Sequence, residues 1–81
     1  MKITIVSESW CVYCKILKDV FDRNHITYTS VSQDSDIGYT IMTESRAKVI
    51  PVMKVEKPGD KPRYFIGERA VARGKKIAGE I

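Results

Sequence analysis

The only two cysteines of the chain, Cys11 and Cys14, stand three positions apart where an apolar, β-branched run gives way to a helical pattern. That junction constrains the fold and the chemistry more than any other feature. Lys2 to Ser7 reads as a short buried strand. Val12 to Arg23 reads as a helix, with Ile16, Leu17, Val20 and Phe21 as its apolar stripe. Lys15/Asp19, Lys18/Asp22 and Asp19/Arg23 are i,i+4 charge pairs on its other face. Cys11 therefore lies at a helix N-terminus, where free backbone N–H groups and the helix dipole favour a thiolate. Its pKa is expected below the free-cysteine value of about 8.5. Cys14 follows one turn later on the same face, within reach of Cys11.

Three uses of such a pair can be weighed. A structural disulfide across so small a loop removes little entropy from the unfolded chain, which makes it a poor staple. Cys-x-x-Cys is also half of a zinc site, but there is no second pair and the only histidine is His25, too few ligands for a closed tetrahedral site. Redox chemistry fits: Cys11 attacks a disulfide, and Cys14 then attacks Cys11 and releases the product. No metal is expected.

The rest of the chain supplies the frame. Ile26 to Val31 reads as a second strand. Asp34 or Ser35 can cap a second helix running to about Ala47, with a weak stripe at Ile37 and Ile41. Pro51 ends that region, and Val52 to Glu56 reads as a third strand. Lys57-Pro58-Gly59-Asp60 has the residues of a tight turn, so Arg63 to Ile66 should return as a fourth strand. Glu68 to the end reads as a last helix, with Ala70, Val71, Gly74, Ile77, Ala78 and Ile81 on one face. Gly74 either weakens that helix or lets it approach the sheet closely. The order β-α-β-α-β-β-α implies an α/β sandwich: a four-stranded mixed sheet with helices on both faces, residues 1–81 forming one domain.

With 81 residues, 43% of them hydrophobic and 30% charged, the chain is expected to fold as one globular unit. Met1 to Trp10 lacks a signal-peptide pattern, and no stretch is long and apolar enough for a membrane span, so a soluble cytoplasmic protein is expected. The net charge of +4 arises entirely after residue 48, where eight basic residues face four acids. Arg69, Arg73, Lys75 and Lys76 are read as a solvated helix face. A nucleic-acid-binding module would need interleaved aromatics, and only Tyr64 and Phe65 offer themselves, so no nucleic-acid partner is expected.

Trp10-Cys11-Val12-Tyr13-Cys14-Lys15 resembles the glutaredoxin active site, usually Cys-Pro-Tyr-Cys; Val in place of Pro is similar to the phage-encoded glutaredoxins, and Trp before the first Cys is more like thioredoxin. Val49-Ile50-Pro51-Val52 resembles the family's Thr-Val-Pro loop, and Phe65-Ile66-Gly67 the start of its Gly-Gly turn. The resemblance implies a thioredoxin-like three-layer sandwich and a monomeric dithiol–disulfide oxidoreductase with no bound cofactor. It implies glutathione as co-substrate, or else a thioredoxin reductase as electron source, and disulfide-bearing partners such as ribonucleotide reductase. It assigns catalysis to Cys11 and Cys14, and substrate binding to Tyr13, Ile50, Pro51, Gly67, Glu68 and Arg46. The resemblance further implies a cis Ile50–Pro51 bond beside Cys11, with the Ile50 backbone offered to a bound peptide. Two positions depart from the family: Glu8 stands where a lysine often contacts glutathione, and Glu68 replaces the second glycine of the turn. Arg46 or Lys48 is then left to hold the glutathione carboxylate and Glu68 its amino group.

Overall fold

A computed structural model describes residues 1–80 of the chain. The elements follow the expected order: β1 (Lys2–Val6), α1 (Val12–Arg23), β2 (Thr29–Val31), α2 (Asp36–Ser45), β3 (Val52–Glu56), β4 (Arg63–Ile66) and α3 (Glu68–Ala78). The strands form one sheet in the order β2-β1-β3-β4. β1 and β2 run parallel, with Ile5 opposite Ser30. β1 and β3 are antiparallel, with Ile5 opposite Met53, and β3 and β4 are antiparallel, with Met53 opposite Phe65.

Alternation along the strands sorts the side chains into two layers. Ile3, Ile5, Met53 and Val55 face α1 and α3, where they pack with Leu17, Val20, Phe21, Ala70 and Val71. Val6 and Val52 face α2 and meet Ile41, with Val31, Met42, Tyr64 and Ile66 around them. The result is the α/β sandwich that the element order implied, a four-stranded mixed sheet with helices on both faces, compatible with the thioredoxin-like fold that the resemblance implied.

The helices seat somewhat differently from their sequence patterns. In α1 the buried set is Cys14, Leu17, Val20 and Phe21, while Ile16 is 37% exposed. The stripe is thus rotated toward the second cysteine, which anchors the motif in the core. In α2 Ile37 and Tyr39 are exposed, and the buried residues are Gly38 and Ile41. A Cβ at Gly38 would overlap the carbonyl oxygen of Ser32, so glycine is what lets the first turn of α2 press onto the preceding loop. Gly74 likewise permits a close approach, but to Leu17 and Phe21 of α1 rather than to the sheet.

The ends of the elements also differ. Each helix closes with a residue in the left-handed region, His25 (φ 56°), Arg46 (φ 59°) and Gly79 (φ 76°). Each time the next residue's N–H reaches back to a carbonyl of the last turn: Ile26 to Phe21, Ala47 to Met42 and Glu80 to Lys75. α3 therefore stops at Ala78, short of the chain end, and Ile81 lies outside the described residues. Because the backbone of His25 and Ile26 is committed to closing α1, β2 begins only at Thr29, while Ile26 and Tyr28 pack on the core.

Of the three charge pairs expected along α1, only Lys15–Asp19 forms, at 3.2 Å. Asp22 accepts a hydrogen bond from the Tyr28 hydroxyl at 3.0 Å. Arg23 turns its guanidinium to Glu80 instead, where Nε and Nη2 hold the two carboxylate oxygens and Asn24 donates a further bond. A planar two-pronged donor suits a carboxylate better than a one-point contact along the helix does. This latch ties the end of α1 to the segment after α3.

Two expectations follow. Gly38→Ala should cost about 2–3 kcal/mol in urea denaturation despite alanine's better helix propensity, because the clash is with backbone. The Arg23 and Asn24 donors lower the Glu80 carboxyl from 4.5 to about 2. A carboxyl depressed in the folded state stabilises it above the unfolded value and loses that contribution on acidification. The stability lost between pH 4.5 and 2 should therefore be smaller in Glu80→Gln than in the unmodified chain, read from denaturation midpoints across that range; parallel curves would rule out the linkage.

Candidate functional site

The site forms where β1 ends and α1 begins. Cys11 is the N-cap of α1, in extended conformation, and its sulfur accepts the Cys14 N–H at 3.2 Å. Cys11 and Cys14 are joined by a disulfide, with their Cα atoms 5.2 Å apart. Cys14 is fully buried, whereas Cys11 keeps 8% of its surface exposed. An incoming group can therefore reach Cys11 and not Cys14. No acidic residue lies in the first turn of α1, so nothing there opposes negative charge at the helix end.

The loop before β3 forms the opposite wall. The Ile50–Pro51 peptide bond is cis. The Ile50 carbonyl oxygen is 3.9 Å from the Cys11 sulfur. Pro51 is buried, and its carbonyl accepts the Gly67 N–H at 2.7 Å, which carries the β3–β4 pairing one step beyond the strands. Gly67 (φ 61°) precedes α3 and lies close to Val49. Glu68 opens α3 and accepts a hydrogen bond from the Tyr13 hydroxyl at 3.2 Å, which raises the tyrosine's pKa.

Cys11, Cys14, Ile50, Pro51 and Gly67 thus meet around one point, with Tyr13 and Glu68 bridging α1 and α3 beside them. Arg46 is placed differently. It is the exposed cap at the C-terminal end of α2, and among the described residues it has no hydrogen bond or ion pair to the group around Cys11. Lys48 is likewise exposed, in the loop between α2 and β3.

Two features were hidden in the sequence. Trp10 is 71% exposed, so it does not pack, and together with Val12, Tyr13 and Val49 it leaves apolar surface beside Cys11. Glu8 is committed elsewhere: one carboxylate oxygen accepts both the Ser32 hydroxyl and the Gln33 N–H, each at 2.9 Å. Its charge fastens the loop between β2 and α2, while the residue also lines one cavity together with Ser9, Cys11 and Lys15. The serine directly after Val31 was the only available signal, because an acid–hydroxyl pair across parallel strand ends is invisible to spacing rules.

Chemically, the arrangement is suited to two-electron thiol–disulfide chemistry: two cysteines held close enough to bond, with one sulfur accessible. Among the described residues, no group of three or more potential ligands is placed to hold a metal ion, and no helix is long and apolar enough to cross a membrane. Comparisons with protein-family models, with curated proteins and with solved structures found no match.

Proposed function

We propose that the chain is a dithiol–disulfide oxidoreductase that reduces protein disulfides and glutathione mixed disulfides through Cys11 and Cys14, in the cytoplasm and as a monomer. The observation that carries this reading is the Cys11–Cys14 bond at the α1 N-terminus, with the Cys11 sulfur capped by the Cys14 N–H and only Cys11 reachable.

In the reduced protein the Cys11 thiolate attacks one sulfur of a substrate disulfide. The substrate S–S bond breaks, its other sulfur leaves and takes up a proton, and a mixed disulfide to Cys11 remains. Cys14 then loses its proton and attacks the Cys11 sulfur. The Cys11–Cys14 bond forms and the second substrate sulfur leaves as a thiol. Two electrons and two protons have passed from the dithiol to the substrate. Two glutathione molecules restore the dithiol and become glutathione disulfide; the alternative donor is the dithiol of a thioredoxin reductase.

The exposed Trp10, Val12, Tyr13 and Val49 support a polypeptide substrate, such as the disulfide of ribonucleotide reductase, because folding does not require their exposure. The Ile50 carbonyl beside Cys11 offers a backbone acceptor to an extended chain. Gly67 and Glu68, at the start of α3, provide a backbone and a carboxylate where the amino group of glutathione is proposed to sit, with Arg46 or Lys48 for a carboxylate.

Cys11→Ser should abolish turnover, and Cys14→Ser should accumulate a mixed disulfide visible by mass spectrometry. Activity retained without the Cys11 sulfur would overturn the mechanism. The reductant is tested by Glu8→Gln, which keeps an acceptor oxygen for Ser32 and Gln33 and removes the charge. Glutathione-coupled turnover should rise several-fold, with turnover on thioredoxin reductase unchanged. If neither assay changes, the Glu8 charge plays no part in glutathione use.

A further inference from the structure

β4 is the last strand of the sheet, and its outer edge has no neighbour among the described residues. The bond from Gly67 N–H to the Pro51 carbonyl sets the phase of the β3–β4 ladder. Counting back through the register, Phe65 and Arg63 direct their backbone groups at Met53 and Val55, so Tyr64 and Ile66 direct theirs outward. An unpaired edge of this kind accepts an added strand unless it is blocked. Pro62 guards only its beginning.

Beside this edge runs a groove of about 500 Å³, lined by Tyr64, Phe65, Ile66, Arg69, Arg73 and Lys76. Its helical wall is positive. Arg69, Arg73 and Lys76 lie one turn apart along α3, and none has an ion-pair partner among the described residues. The nearby acids are engaged: Glu68 with Tyr13, and Glu44 with Tyr64 and Lys54 on the other side of the sheet. The Arg73 guanidinium sits 4.9 Å from the centre of the Phe65 ring, which holds it over the strand instead of out in water.

We infer that this groove binds an acidic, extended polypeptide segment, which adds to β4 as a fifth strand and places alternate carboxylates against Arg69, Arg73 and Lys76. The spacing suits it: Arg69 and Arg73, four apart on the helix, rise about 6 Å, Lys76 lies about 4.5 Å further on with a long flexible side chain, and alternate residues of a strand are about 6.7 Å apart. The backbone edge is what selects a peptide over a nucleic acid, since phosphates would answer the cations but leave the Tyr64 and Ile66 groups unpaired. Although Ile66 and Arg69 flank Gly67 and Glu68, the groove shares no lining residue with the cavity at Cys11, so the proposal holds whether or not the redox reading does.

The test uses the full chain and a fluorescein-labelled peptide of alternating valine and glutamate. At low ionic strength the peptide should bind, and it should slow amide exchange at Tyr64 and Ile66. Arg73→Glu with Lys76→Glu should weaken binding by about tenfold or more. The same double variant should bind the matching valine–lysine peptide, a rescue that a merely unfolded variant could not give. Cysteine-dependent turnover on a small disulfide should be unaffected. Equal affinity of the variant for the glutamate peptide, unchanged exchange at Tyr64 and Ile66, or displacement of the peptide by an oligothymidylate of equal charge would each overturn the proposal. The exchange measurement needs no variant and is decisive alone.

Discussion

The seating of α1 on the sheet governs the rest of the molecule. Leu17, Val20 and Phe21 are fully buried against Ile3, Ile5 and Met53, and Cys14 continues the same buried stripe by one turn. Burying side chains of this size is worth roughly 1.5–3 kcal/mol each, so the helix has one stable rotation and one stable depth. Once these are set, the first turn must emerge at the end of β1 with Cys11 at its cap. The cysteine pair is therefore asymmetric for a packing reason: one sulfur belongs to the core and the other to its rim.

The second wall depends on the same seating through a longer route. α3 packs on α1 because Gly74 brings its backbone against Leu17 and Phe21. That contact fixes where Gly67 and Glu68 stand, and Gly67 in turn holds the Pro51 carbonyl. The Ile50–Pro51 loop is thus braced from α3, and the hydrogen bond from Tyr13 to Glu68 closes the circuit back to α1. Enlarging a side chain deep between α1 and α3 would be felt at the loop facing Cys11, because close-packed interiors pass strain on.

How much of this could be read from the chain follows from which forces are local. β1, α1, β3, β4 and the Pro58-Gly59 turn were legible, since β-branched runs, helical spacing and turn chemistry act over a few residues; Gly59 has the positive φ (80°) that the turn requires. β2 was read too long because its first residues serve the closure of α1, a tertiary matter. The buried face of α2 was misplaced because Gly38, with no side chain, is the residue that packs closest. The cysteine pair and its neighbours Ile50, Pro51 and Gly67 were legible as motifs. The commitment of Glu8 to Ser32 and Gln33, and of Arg23 to Glu80, was not, since each joins residues more than twenty positions apart.

The same long-range bonds explain the character of the surface. The net charge of +4 is modest, but the two signs are used differently. Glu8, Asp19, Asp22, Glu44, Glu68 and Glu80 all accept hydrogen bonds from within the chain, so most of the ten acids are held in place by the fold. Among the described residues, only Lys15, Arg23 and Lys54 of the basic residues answer them in ion pairs. These bonds leave the net charge unchanged, but its positive excess is concentrated along α3, where Arg69, Arg73 and Lys76 share one side and have no ion-pair partner among the described residues. Steering acts over roughly 8–10 Å at physiological salt, so an acidic partner would be drawn to that side of the sheet before any contact forms. Cys11 lies at another edge of the fold, at the far end of α1 from the Glu80 latch. The excess positive charge along α3 therefore grows away from the cysteine pair, toward Arg73 and Lys76.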